Sequence, residues 1–213
     1  MGIEQRITNL HLDVLKEIGN IGAGHAATSL STLLNRKVDM KVPNVHIVSF
    51  DEMMEMAGGA ENVVVSVFLR IEGDAPGSMF FLLSLDQATR FLHQMTGDPT
   101  LSLEESPYAE MAVSAMQELG NILSGSYLSS LANFTNLNLY PSVPALSIDM
   151  VGAIVGYGLI ELSQTSDYAI VIDTALNEEG SVKENSVKGH FFLLPDPPSF
   201  ETIFNSLGVP ING

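Results

Sequence analysis

The chain has 213 residues, 46% of them apolar and 16% charged, with no cysteine. Nine Lys and Arg stand against 25 Asp and Glu, a formal charge of −16. That balance excludes the basic footprint needed for nucleic acid or an anionic membrane, and the missing cysteines exclude a disulfide framework, thiolate zinc and a Cys nucleophile.

The N-terminal run MGIEQRITNLHL has no basic segment leading into an apolar one, so no signal peptide is expected. No apolar stretch approaches the ~18 residues of a membrane span, and a soluble cytoplasmic protein with no membrane insertion is expected. Ile7, Leu10, Val14, Ile18 and Ile21 recur at steps of three and four, which predicts a helix over Ile7–Ile21. On that helix Asp13, Glu17, Asn20 and Gly24 fall at i, i+4, i+7 and i+11, a second stripe beside the apolar face. Gly19, Asn20, Gly22 and Gly24 are poor helix residues, and each Gly costs about 1 kcal/mol relative to Ala. Surface decoration does not call for them together. Pro43 is expected to open a strand, where a missing N–H is tolerable. Met53, Met54 and Met56 read as core or as a pliable contact.

Val63–Leu69 is a β-branched run, hence a strand, leading to a turn at Gly73. Phe80–Leu83 is a second strand and Asp86–Thr96 an amphipathic helix. The loop Leu101–Pro107 follows. The pattern then begins again. DVLKEIGNIGAGHAATSLSTLLNRKVDMKVP (13–43) aligns without a gap on SAMQELGNILSGSYLSSLANFTNLNLYPSVP (114–144), 101 residues later. Glu118, Asn121, Gly125 and Pro144 repeat Glu17, Asn20, Gly24 and Pro43, and Ser114 stands where Asp13 does. Asn35 and Asn136 match as well. Val151–Leu162 is apolar, glycine-rich and read as buried. Ala169–Ile172 and Phe191–Leu194 are strands, Gly180 a turn, Asn177–Asn185 a polar loop, and Ser199–Leu207 a helix.

Each half therefore reads helix, strand, further elements, strand, strand, helix. The expected fold is α/β (α+β): an internally duplicated pseudo-twofold unit with a shared, mainly antiparallel or mixed sheet and flanking helices. The chain is expected to form one domain, 1–213, with repeats at about 7–100 and 108–210. Two tandem domains are the alternative, though no Pro/Ser/Gly linker separates the halves.

Other chemistry finds few residues. His11, His25, His46, His93 and His190 show no metal-ligand spacing, so no metal site is expected. GNIGAG (19–24) lacks the Lys-Ser/Thr of a phosphate loop and follows a helical pattern. No G-x-S-x-G elbow exists. What remains is an acid and an amide three residues apart, presented twice. Asn cannot titrate, but it holds a water by donating and accepting hydrogen bonds, and phosphoryl transfer is mostly placement plus electrostatics. An acidic chain does not supply the cation that a phosphoryl group needs, so the partner must. The pattern suggests a protein that completes another protein's active site.

The doubled pattern Asp/Ser-x3-Glu-x2-Asn-x22-Pro resembles the CheC/CheX/FliY phosphatases of bacterial chemotaxis. Asp13, Glu17, Asn20 and Pro43 match its first copy, and Ser114, Glu118, Asn121 and Pro144 its second. The segments EGDAPGSMFFLL (72–83) and 121–150 are also similar to that family's CheC branch. CheX-type members carry one such site, and FliY-type members an added flagellar-switch domain for which this chain has no room. The resemblance implies hydrolysis of the aspartyl phosphate on the response regulator CheY. It makes Glu17 and Glu118 anchors to a CheY lysine, and Asn20 and Asn121 the groups that orient the attacking water. No cofactor is then expected in this chain, and Mg²⁺ belongs to CheY. The resemblance also implies binding to the receptor deamidase CheD. Asp149, an acid interrupting an apolar run, is a candidate CheD contact or a helix cap. The alternative function is a non-catalytic CheD- or CheY-binding adaptation module. A structural part of the flagellar switch is a third.

Overall fold

The computed structural model describes residues 6–162, 168–178 and 187–211. Helix α1 (Asn9–Leu34) starts where Thr8 donates its main-chain N–H to His11 Nδ1 at 2.8 Å. With Nδ1 accepting, the other ring nitrogen donates to the Val209 carbonyl at 2.9 Å, tying the helix start to the far end of the chain. The helix ends at Asn35, whose φ of +48° is left-handed. Its counterpart α4 (Glu110–Thr135) ends on Asn136 at φ +54°. The matched asparagines thus close matched helices, since Asn is one of the few side chains that tolerates this conformation. Helix α1 has 26 residues, longer than its apolar periodicity indicates, and begins after Ile7. Its glycines do not break it because packing overrides propensity: a Cβ at Gly22 would lie 3.0 Å from the Tyr127 backbone of α4.

After α1 come β1 (Val38–Lys41), β2 (Val45–Ser49), α2 (Phe50–Met56), β3 (Val63–Gly73), β4 (Gly77–Ser84) and α3 (Leu85–Thr96). After α4 come β5 (Leu139–Pro141), β6 (Ala145–Met150), α5 (Val151–Leu162), β7 (Tyr168–Glu178), β8 (Val187–Pro195) and α6 (Pro197–Ser206). The order α-β-β-α-β-β-α thus occurs twice. Asn177 and Glu178, expected in a loop, instead pair with Asp39 and Val38 at the end of β7. Gly180 and the rest of that loop lie outside the described residues.

The strands form one antiparallel sheet in the order β1-β7-β8-β4-β3-β5, with β2 continuing the β1 edge along β7 and β6 continuing the β5 edge along β3. Each half lends its first two strands to the third strand of the other half. The registers correspond: Val45 faces Ile172 where Leu146 faces Val67. At the centre Phe81 and Phe191 pair across β4 and β8, their rings stacked at 4.7 Å. Tyr127 lies 4.5 Å from Phe191 and bonds Thr174 at 3.1 Å; burial pushes its hydroxyl up to about 12.

Alternation along the strands splits the apolar side chains between two faces. Val65, Val67, Leu69, Phe81, Ile172 and Phe191 meet α1, α3, α4 and α6 on one face. Val64, Phe80, Val171 and Phe192 meet Met53 of α2 and Val151, Ile154 and Val155 of α5 on the other. Met54 and Met56 pack around that second cluster, so the three methionines belong to the core.

Candidate functional site

Helices α1 and α4 lie against each other on the sheet, and each presents its polar stripe outward. Asp13 and Glu17 are exposed and Asn20 is half-buried; Ser114, Glu118 and Asn121 are all exposed. The glycines divide into two groups. A Cβ at Gly120 would lie 2.5 Å from a Val67 methyl, so this glycine lets α4 sit down on β3. Gly24 and Gly125 would meet no atom within 4 Å. Among the described residues nothing requires these two to be small, and they share the stripe with the acid and the amide.

The corner between each pair of edge strands comes up beside the stripe. Pro43 is exposed in the corner between β1 and β2, and Pro144 directly precedes β6. In the first copy the main-chain N–H of Val42 donates to Asn20 Oδ1 at 3.0 Å, and Val42 is 2% exposed. In the second copy the corner is fastened to β3 instead. Ser142 donates its main-chain N–H to the Arg70 carbonyl at 2.8 Å, and its hydroxyl accepts the Arg70 N–H at 2.9 Å. There Val143 is 90% exposed. Among the described residues the Asn121 side chain makes no hydrogen bond.

A groove of about 200 Å³ runs beside the first stripe, between Asp13 and Lys16 of α1 and, opposite them, Asn44 of the corner and His46 of β2. The matching positions of the second copy are Ser114, Gln117, Ala145 and Ser147, which carry no charge. His46 also reaches Asp173 at 3.1 Å, and His190 reaches the other oxygen of the same carboxylate at 2.9 Å. The His190 hydrogen bond holds the Asp173 carboxyl below its ordinary value, burial opposes this, and the His46 bond adds to the lowering. In the other half the positions of Asp173 and His190 are taken by Phe68 and Phe80, packed at 4.8 Å. Among the described residues no group of three or more His, Asp or Glu is arranged to hold a metal ion.

Asp149 is the last residue but one of the exposed edge strand β6, and its carboxylate accepts the Met150 N–H at 2.7 Å, just before α5 begins. The run 19–24 is helix interior, not a phosphate-binding loop. The sequence stripes are therefore present as surfaces. The Val42 bond and the His46–Asp173–His190 chain were not read from sequence. The Asn-x22-Pro spacing is the only sequence signal for the former. The latter joins residues up to 144 positions apart and has none.

The sequence profile of the CheC-like family matches residues 10–47 and 111–148, two windows again 101 residues apart, each holding one stripe and its corner. The chain is 48% identical to the CheY-P phosphatase CheC of Bacillus subtilis (strain 168), over 99% of this chain and 100% of that one. It is 27% identical to the flagellar motor switch phosphatase FliY of the same organism, over 67% of this chain and 36% of that one. In structure it resembles Thermotoga maritima FliY, with a TM-score of 0.70 at 20% identity, covering 95% of this chain and 98% of the other. No described helix is long and apolar enough to cross a membrane.

Proposed function

The chain belongs to the CheC-like family, and from that premise we propose that it is a phosphatase for the aspartyl phosphate of the chemotaxis response regulator CheY. The observation that carries the reading is the repeated exposed face: one acid, one amide and one glycine with open space above it, on each of two helices. Glu17 and Glu118 anchor the regulator by pairing with a lysine beside its phosphoryl group. Asn20 and Asn121 enter the regulator's site and hold a water in line with phosphorus. The water oxygen bonds to phosphorus as the bond to the aspartyl oxygen breaks. The aspartate leaves as carboxylate, and the water's protons go to inorganic phosphate and solvent. Mg²⁺ bound by the regulator would supply the neutralisation of phosphoryl charge. Asp13, Ser114, Pro43 and Pro144 shape the face without touching the reacting atoms.

The test is the decay of phosphorylated CheY with Mg²⁺, with and without this protein. Faster decay that is lost in N20A/N121A, with the fold intact, supports the reading. Full activity in that double variant would refute it.

CheD is the second partner in this reading, docked on the open edge of β6 around Asp149. What supports this placement is the exposure of Asp149 and Met150 on a strand that, among the described residues, is paired on one side only. Unchanged CheD affinity in D149K would remove this placement while leaving the phosphatase untouched.

A further inference from the structure

Asn20 and Asn121 hold equivalent helix positions, yet among the described residues only Asn20 has a side-chain hydrogen bond. Its carbonyl oxygen accepts the Val42 N–H at 3.0 Å. Val42 ends the run from β1, with its side chain against Gly19 and Pro43 next in sequence. The residue before the proline is thus the one that meets the amide, which gives the Asn-x22-Pro spacing a physical reason. In the second copy Ser142 and Arg70 fasten the corner, Val143 projects into solvent, and no described residue bonds the Asn121 side chain.

We propose that the main-chain N–H of Val42 is a positioning donor of the first site. A primary amide has two flat orientations of nearly equal shape, and one donor aimed at Oδ1 selects the orientation with the NH₂ group turned outward. That leaves the NH₂ and the second lone pair of Oδ1 for the water. Resting on the phosphatase reading, the first site is preformed, whereas Asn121 takes its working orientation only against the partner. Preorganisation of this kind acts on the chemical step more than on docking.

The test uses the full chain with one site left active. In N121A, V42P removes the donor, whereas V42A keeps it and removes buried methyl groups. The expected result with phosphorylated CheY is a fall in kcat of about five- to tenfold for V42P, with KM within about twofold. V42A lowers Tm and costs several-fold less in kcat than V42P. Equal losses in the two variants, or a loss carried by KM, overturn the proposal. A second arm needs no turnover and no proline. Exchange of the Val42 amide hydrogen should quicken at least about tenfold from the parent to N20A, as expected when one protecting bond is lost. Exchange at Val143 should be the same in the parent and N121A. Val42 exchange unchanged by N20A overturns the bond itself. A parent chain that leaves CheY phosphate decay unaltered overturns the phosphatase reading, and the positioning role with it, whatever the exchange arm gives.

Discussion

Gly24 and Gly125 separate stability from function. Both stand inside 26-residue helices, and a Cβ at either would meet nothing within 4 Å. Glycine inside a helix costs about 0.8–1 kcal/mol relative to Ala. G24A/G125A should therefore stabilise the fold by about 2 kcal/mol. At about 2–4 °C per kcal/mol for a chain of this size, Tm rises by about 4–8 °C. Leu has nearly the helix propensity of Ala, so G24L/G125L should keep most of that gain. On the proposed docking face, however, each leucine holds the partner off by more than an ångström. Misplacement of about 1 Å costs on the order of 100-fold when the reacting groups must be in line. The expected outcome is a leucine pair that is more heat-stable than the parent and about 100-fold lower in kcat/KM. Calorimetry and the CheY phosphate decay assay read the two effects. A lower Tm in the alanine pair would refute the structural half of the reasoning. A leucine pair within threefold of the parent's activity would refute the functional half.

Gly120, five residues before Gly125, should behave oppositely. G120A puts a methyl 2.5 Å from Val67 and should destabilise by about 1–3 kcal/mol, with V67A restoring part of the loss in a melting series. Phe191 is 1% exposed between Phe81 and Tyr127, so F191A should cost about 3–5 kcal/mol. Because β4 and β8 come from different halves, its urea transition should stay single, and two resolved transitions would contradict a shared core. The folded pKa of Asp173 is depressed, so its contribution is fully present above the unfolded carboxylate value of about 3.9 and is lost as pH falls through the lower folded value. D173N should therefore flatten the acid limb of the urea midpoint against pH. An acid limb unchanged in D173N would show that other carboxylates carry it. A charge of −16 should make association with a partner that presents a basic patch salt-sensitive, with the on-rate falling between 50 mM and 500 mM salt; a flat profile would contradict electrostatic steering.

Much of the fold is legible because its determinants are local. The β-branched runs at Val63–Leu69 and Ala169–Ile172 became strands. The stepped apolar residues near Val14 and Ile18 became a buried helix face, and Asn35 and Asn136 took the left-handed caps that their matched positions share. The acid–amide stripes followed from helix periodicity, since a spacing of i, i+4, i+7 fixes which side chains stand together whatever the rest of the chain does. Where local signals are weak, tertiary pairing decides. Asn177 and Glu178 look like loop residues, yet they extend β7 because β1 of the other half offers them a partner.

The sequence by itself determined the duplication, the element types and the identity of the paired Glu and Asn residues, because periodicity and a constant offset of 101 are properties of the chain as a string. Tertiary structure decided which strands of one half lie on the other, that Gly24 and Gly125 face open space while Gly120 is packed, and that Asn20 is held by Val42 while Asn121 is not. It also joined His46, Asp173 and His190 where the other half has an aromatic pair. Those distinctions arise between residues far apart in sequence. Two repeats that share one motif acquire different surroundings because each is completed by the other half, and the other half is not the same.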